Sequence, residues 1–287
     1  MTRYSIKELE KLTGILAHTI RIWEKRYRIV NPNRTKSNIR YYSDEDLKRL
    51  LNCAFLTRRG YKISKIAELN NVDIEKEIEQ LTETPVDTEA WLTRFSNATI
   101  SLNDKELETL YQQATQRFDF ETIATGIFYP LLEQIGLMWQ LNKIMPAHEH
   151  LVAHFIRNKI IAATEAIDSI ADGVKTFLLF LPEGEYHEIG LLYANYLLRK
   201  NNCRVIYFGQ SVPFKDLISI EKNYPNAHFL SFFTQKNTVL SPRDFITAFQ
   251  DQFPGKTLYI LGQATSDIDV KPPINVLPGL AALKTIL

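Results

Sequence analysis

The segment Glu185-Tyr186-His187-Glu188-Ile189-Gly190 follows an apolar run, Thr176 to Pro182, and precedes a helical pattern that begins at Leu191. A histidine at the carboxyl end of a strand is able to ligate a metal through one ring nitrogen while a neighbour holds the other. The carboxylate two residues earlier, Glu185, is the natural holder, and Gly190 allows close backbone approach. His187 is therefore the candidate metal ligand. Upstream, nine residues separate Trp139 from Glu149-His150, around the end of one helical pattern and the start of the next, a placement expected to let the three converge on one rim. The chain has no P-loop, zinc-ligand spacing or nucleophile-base pair. Cys53 and Cys203 are its only cysteines and lie far apart, which argues against a disulfide framework.

Positioning these residues takes three kinds of element. From residue 174 to residue 287, strands and helices alternate. Apolar strands are predicted at Phe177–Leu181, Arg204–Phe208, His228–Phe232, Thr257–Leu261 and Ile274–Leu277, with helical patterns at Leu191–Arg199, Phe214–Glu221, Pro242–Phe249 and Leu280–Leu287. That order specifies a doubly wound five-stranded parallel sheet, whose ligands sit beyond the carboxyl ends of the strands. Residues 88–171 lack strand alternation. Helical stripes such as Trp91, Leu92, Phe95, Ile100 and Leu107, Leu110, Tyr111, Ala114 predict a four-helix bundle, with Pro130 kinking the third helix. Leu81–Asp87 forms the linker ahead of it.

Residues 1–80 make a third unit with a different charge. Of the 34 Lys/Arg and 33 Asp/Glu in the chain, residues 1–70 hold 16 and 7, a net of +9; the remainder carries 18 and 26, a net of −8. A basic head on an acidic body suits contact with phosphates. Ser5 and Glu8 have the spacing of a capping box, and Thr13-Gly14 stops the first helix. A second helix from His18 to Tyr27 turns Ile20 and Trp23 inward, with Arg21, Glu24, Lys25 and Arg28 outward. Two short helices about a glycine turn make a helix-turn-helix. The polar run Asn31–Tyr42 makes a hairpin wing, Ser43-Asp44-Glu45-Asp46 caps a third helix, and Ile66, Ala67 and Leu69 begin a fourth. The fold class expected is multidomain, α and α/β: a winged helix-turn-helix head, a helical bundle and a parallel sheet.

Several motifs in this order carry a resemblance. Thr19-Ile20-Arg21-Ile22-Trp23-Glu24-Lys25-Arg26-Tyr27, Asn31-Pro32-x-Arg34, Arg40-x-Tyr42, Asp46-Leu47 and Gly60-Tyr61 resemble the MerR family of DNA-binding regulators. The Glu-x-His-x-x-Gly segment resembles the lower-ligand loop of cobalamin-binding domains, whose usual form is Asp-x-His-x-x-Gly. Trp139 with Glu149-His150 resembles the cap of light-sensing, adenosylcobalamin-dependent MerR-type repressors. The resemblance implies that His18, Thr19 and Arg21 lie near base edges, and that Arg26, Tyr27, Arg34, Arg40 and Tyr42 hold the DNA backbone. It implies that His187 fills the position beneath cobalt, oriented by Glu185, that Gly190 lets the backbone pass the macrocycle, and that Trp139, Glu149 and His150 cover the upper face. It also implies that Ser231 and Gly262 shape a slot for the nucleotide tail. Three positions depart from the pattern: Gln140 replaces the histidine that follows the tryptophan in the photoreceptor repressors, Phe233 a smaller aliphatic residue, and Gln263 a second glycine.

The function expected is that of a DNA-binding transcriptional regulator, not an enzyme, whose oligomerisation and DNA binding respond to cobalamin (adenosylcobalamin or a related corrinoid). Its partners are double-stranded DNA and further copies of itself, as dimer or tetramer. A first alternative is a MerR-type regulator with a degenerate α/β domain that binds no cobalamin and serves oligomerisation or protein contacts. A second, a subunit of a corrinoid-dependent methyltransferase or mutase, lacks a substrate barrel and leaves the head unexplained. Absence of an ~18-residue apolar span or an apolar N-terminal signal leads to an expectation of no membrane contact and a cytoplasmic location.

Overall fold

The computed structural model describes residues 3–35, 37–81, 88–167, 175–235, 238–265 and 268–286. Most of the expected linker Leu81–Asp87, the end of the expected bundle at residues 168–171, Val174 and the terminal Leu287 lie outside the described residues. The chain divides into two compact units, Met1–Phe155 and Ile156–Leu287. This differs from the expected boundaries: head and bundle form one unit, and the division falls inside a helix.

In the first unit, α1 (Ile6–Thr13) starts on Ser5 with both bonds of the capping box and ends on Gly14 at φ 71°. That left-handed conformation favours glycine because a Cβ would crowd the following carbonyl. α2 (Ala17–Tyr27) follows, then the antiparallel wing strands β1 (Asn33–Arg34) and β2 (Arg40–Tyr41). α3 (Asp44–Arg58) carries its own capping box, Ser43 with Asp46. Ile20, Leu47, Leu50 and Phe55 are buried beneath these elements, whereas Trp23, expected inward, is only half-buried. The expected fourth helix is two pieces, α4 (Ile63–Ile66) and α5 (Asn71–Leu81). The side chain of Asn70 accepts from the Asp73 amide at 2.9 Å, and that local bond starts the second piece.

The bundle consists of α6 (Thr88–Ile100), α7 (Asp104–Thr115), α8 (Phe120–Ile123) continuing into α9 (Tyr129–Gln140), and α10 (Pro146–Glu165). A π turn over Ala124–Phe128 joins α8 to α9, in place of the expected kink at Pro130. Pro130 has no N–H to offer, and the Tyr129 amide reaches back to the Ala124 carbonyl, lengthening the turn by one residue. Phe128 packs edge-to-face with Phe95, Phe120 and Phe155, at 6.2, 6.4 and 6.0 Å between ring centres. Each such pair adds about 0.5–1.5 kcal/mol beyond the area it buries.

In the second unit a five-stranded, wholly parallel sheet has the order β4-β3-β5-β6-β7. Its strands are β3 (Thr176–Pro182), β4 (Arg204–Val212), β5 (His228–Phe232), β6 (Leu258–Leu261) and β7 (Ile274–Val276). Helices α11 (Ile189–Lys200), α12 (Phe214–Asn223) and α13 (Pro242–Gln252) supply three crossovers. Phe177 to Leu181 are all fully buried, as a continuous apolar strand within a parallel sheet must be. The expected terminal helix is a shorter 3₁₀ segment, Leu280–Thr285. No helix among the described residues is long and apolar enough to cross a membrane.

Candidate corrinoid and DNA sites

The strand order puts the topological switch point between β3 and β5, where connections leave toward opposite edges, the place where ligands of such sheets bind. The loop from β3 to α11 leaves this point carrying the Glu185–Gly190 segment. Pro182 ends the strand, Gly184 turns at φ 89°, and the Glu185 amide donates to the Pro182 carbonyl at 2.9 Å. Glu185 is fully buried. Its Oε1 accepts from the amides of Tyr186 and His187, each at 3.0 Å, and from Nδ1 of His187 at 2.6 Å. Its Oε2 accepts from the amides of Thr234 at 2.8 Å and Gln235 at 3.0 Å, in the loop that follows β5. One carboxylate thus ties together the two loops that flank the switch point.

Burial by itself would raise the pKa of Glu185, but the bonds from the His187 ring and from the amides of His187, Gln235 and Thr234 win and hold it at about 2. An ionised acceptor at Nδ1 makes that nitrogen the donor and leaves the imidazole lone pair on Nε2. The His187 side chain is half exposed. Among the described residues no group of three or more His, Cys, Asp or Glu is placed to hold a metal ion. The donor set at His187 is one imidazole with a carboxylate behind it. It fits a metal that brings its remaining ligands, as a metal macrocycle does.

The positions expected to shape a tail slot are packed by the chain itself. Ser231 is fully buried and donates its hydroxyl to the Phe180 carbonyl at 2.9 Å. A Cβ on Gly190 would fall 2.8 Å from the Phe232 ring, and one on Gly262 2.2 Å from the Phe233 carbonyl oxygen. Phe233 is fully buried, 5.3 Å from the Phe245 ring centre. Both glycines are required, but for packing against these phenylalanines. The lower-ligand side fits a corrinoid; the tail positions are filled by protein.

In the first unit, Trp139 lies in the last turn of α9 with 55% of its surface exposed, and Met145, beside the start of α10, is 56% exposed. Glu149 is half-buried and His150 exposed, with Nε2 of His150 3.5 Å from Oε2 of Glu149. The turn between α9 and α10 is fastened to the head: Nζ of Lys143 donates to the Arg3 carbonyl at 2.6 Å and pairs with Glu8 at 3.0 Å.

On the head, His18 and Arg21 are exposed on α2 and Thr19 is half-buried. Arg26 is exposed and lies 5.3 Å over the half-buried Tyr27 ring. Arg34, also exposed, donates to the Asn38 side chain at 2.6 Å and so stiffens the wing. Tyr42 is a correction to the expected backbone contacts: it is fully buried, and its hydroxyl donates to Glu24 at 2.9 Å. Arg40 pairs with the same carboxylate at 3.2 Å. Glu24, which sequence reasoning left as a surface acid, therefore joins the wing to α2; only the fold brings position 24 to positions 40 and 42. Three further residues were missed. Glu188 and Tyr207 share a cluster with Arg157, and nothing in their sequence spacing connects them.

Two family models match the chain, that of MerR HTH family regulatory proteins over residues 4–71 and a B12 binding domain over residues 91–164. The HTH-type transcriptional repressor CarH of Myxococcus xanthus is 29% identical over 222 residues, 75% of this chain and 73% of that protein. The repressor CarA of the same organism is 26% identical over 252 residues, 86% and 81% of the two chains. Among solved structures, the monomethylamine corrinoid protein of Methanosarcina barkeri gives a TM-score of 0.55 at 11% identity, over 71% of this chain and 97% of that one; the likeness is one of fold.

Proposed function

We propose that this chain, which joins a MerR HTH domain to a B12-binding domain and is homologous to the CarH and CarA transcriptional repressors, is a regulator whose DNA binding is set by a bound corrinoid. The observation that carries the reading is the Glu185–His187 pair: a buried carboxylate holds the imidazole by Nδ1 and leaves Nε2 available to a metal. Trp139, exposed on the first unit, with Glu149 and His150, is the candidate corrinoid contact of that unit. A bound corrinoid would supply a cobalt, and His187 is the residue that would ligate it. The protein's part is to orient that imidazole and to read occupancy as a change of assembly.

Ligand that binds one oligomer better than another shifts the assembly by mass action, and each added copy multiplies the DNA contacts of the heads. The basic head, at +9 over residues 1–70, is the DNA-facing part, with His18, Thr19 and Arg21 toward bases and Arg26, Tyr27, Arg34 and Arg40 toward phosphates. Assembly as dimer or tetramer and a cytoplasmic setting follow from this reading. With Gln140 after Trp139, a light response cannot use a histidine at that position as an upper ligand.

The test mixes purified full-length protein with adenosylcobalamin in the dark, desalts it and records the absorbance spectrum. Retained corrinoid, lost on His187→Ala, supports the reading; a colourless wild-type protein sinks it. Size-exclusion and duplex-binding measurements with and without the retained corrinoid then test the link to assembly. Phe233 favours a second reading, a sheet domain that has closed its tail slot and serves only assembly. Unchanged oligomeric state in a protein that takes up no corrinoid would support it.

A further inference from the structure

His187 lies between two buried carboxylates, and only one of them has been given a task. Glu188 is 9% exposed and occupies the N-cap position of α11, yet its side chain makes no capping bond to the helix. A carboxylate there is favoured by the positive end of the helix dipole, but the longer glutamate side chain is free to reach elsewhere. Here Oε1 instead takes Nε of Arg157 from α10, and Oε2 takes the hydroxyl of Tyr207 from β4 at 3.4 Å. Burial, then the charge of Glu188 and its bond, push the Tyr207 phenol upward, so the hydroxyl stays a donor. Farther along the same two helices, Glu165 of α10 pairs with Arg199 of α11 at 3.0 Å. That outer pair is exposed and contributes little; the Arg157–Glu188 pair is partly desolvated and counts for more.

We infer that Glu188, held by Arg157 and Tyr207, is a positioning residue that fixes the helix-side end of the His187 loop, as Glu185 fixes its strand-side end. The inference rests on the corrinoid reading, because the side chain positioned is the one that would ligate the cobalt. His187 has residues on both sides anchored: Glu185 through five bonds, Glu188 through two. Glu185 holds the amide and Nδ1 of His187, but a loop tied by side chains only at residue 185 would leave its helix-side end to backbone bonds alone, and a side chain that is to ligate a metal tolerates little drift of that end. The clamp reaches from a helix, a strand and a loop, so forming α10 correctly also sets the ligand.

The test uses full-length wild type, Glu188→Gln, Arg157→Ala and the charge-keeping Arg157→Lys. Amide hydrogen exchange on the corrinoid-free protein is read for peptides covering 185–190 against peptides of β3 and β5. Selective acceleration at 185–190, on the order of tenfold in Glu188→Gln and Arg157→Ala and smaller in Arg157→Lys, supports the clamp. Equal acceleration in the strands, or none at 185–190, overturns it. Loaded with adenosylcobalamin in the dark, the first two variants release the corrinoid about tenfold faster than wild type. Release at the wild-type rate overturns this inference alone; a wild type that retains none overturns the corrinoid reading and this inference with it.

Discussion

Glu185 holds the Nδ1 of His187 at 2.6 Å with one carboxylate oxygen and the amides of Thr234 and Gln235 with the other, so one buried side chain orients the imidazole and joins two loops. Its stability contribution depends on charge. The folded-state pKa is depressed to about 2 from 4.5, so the stabilisation is present above about pH 4.5 and is lost as pH falls toward 2. Glu185→Gln is expected to cost roughly 1–3 kcal/mol at pH 7. Urea midpoints of the two proteins should converge as pH drops through that window; a constant gap would count against the ionised, hydrogen-bonded carboxylate.

Trp139 contributes little to folding because more than half of it meets solvent. Trp139→Ala is expected to shift unfolding free energy by no more than about 0.5 kcal/mol while weakening corrinoid retention at least about tenfold. Thermal melts and dark desalting, run on the same preparations, separate the two effects. A large loss of stability would return the residue to a packing role.

Gly262 is constrained twice: it lies at φ 115°, and a Cβ there would come within 2.2 Å of the Phe233 carbonyl oxygen. Gly262→Ala is expected to destabilise the sheet domain by about 3 kcal/mol or more, because backbone on both sides must move. Phe233→Leu, which removes ring volume from the core, should cost about 1–2 kcal/mol and, if the tail slot matters, raise corrinoid uptake. Denaturation curves and the retained absorbance report the two outcomes independently.

Arg40 and Tyr42 converge on Glu24, yet one side chain is exposed and the other is not. Binding to random duplex at several salt concentrations should show Arg40→Ala weakened, with the salt slope reduced by up to about one unit. Tyr42→Phe should leave that slope unchanged and cost about 1 kcal/mol of stability, from the lost bond to Glu24. A flatter slope for Tyr42→Phe would restore it as a phosphate contact.

Much of this was legible before any coordinate. The five strands fall within a few residues of their expected ends, because apolar runs bounded by turns leave parallel strands little choice. Capping boxes at Ser5 and Ser43 were readable for the same reason: they are interactions over three residues. The Glu185–His187 pair was readable too, being separated by two positions. The π turn before Pro130, the break between α4 and α5, and the burial of Tyr42 were not, since each depends on which neighbour is packed against the residue.

Local spacing by itself determined the kinds of element, their order and the candidate ligand, because periodicity, capping and short-range bonds act within a few residues of chain. The tertiary structure alone decided that Glu185 reaches the loop after β5, that Phe232 and Phe233 fill the space left by Gly190 and Gly262, and that Arg157 and Tyr207 meet on Glu188. Those contacts join positions from 19 to 50 residues apart. Only a finished fold, with its burial and its register, brings such positions within bonding distance.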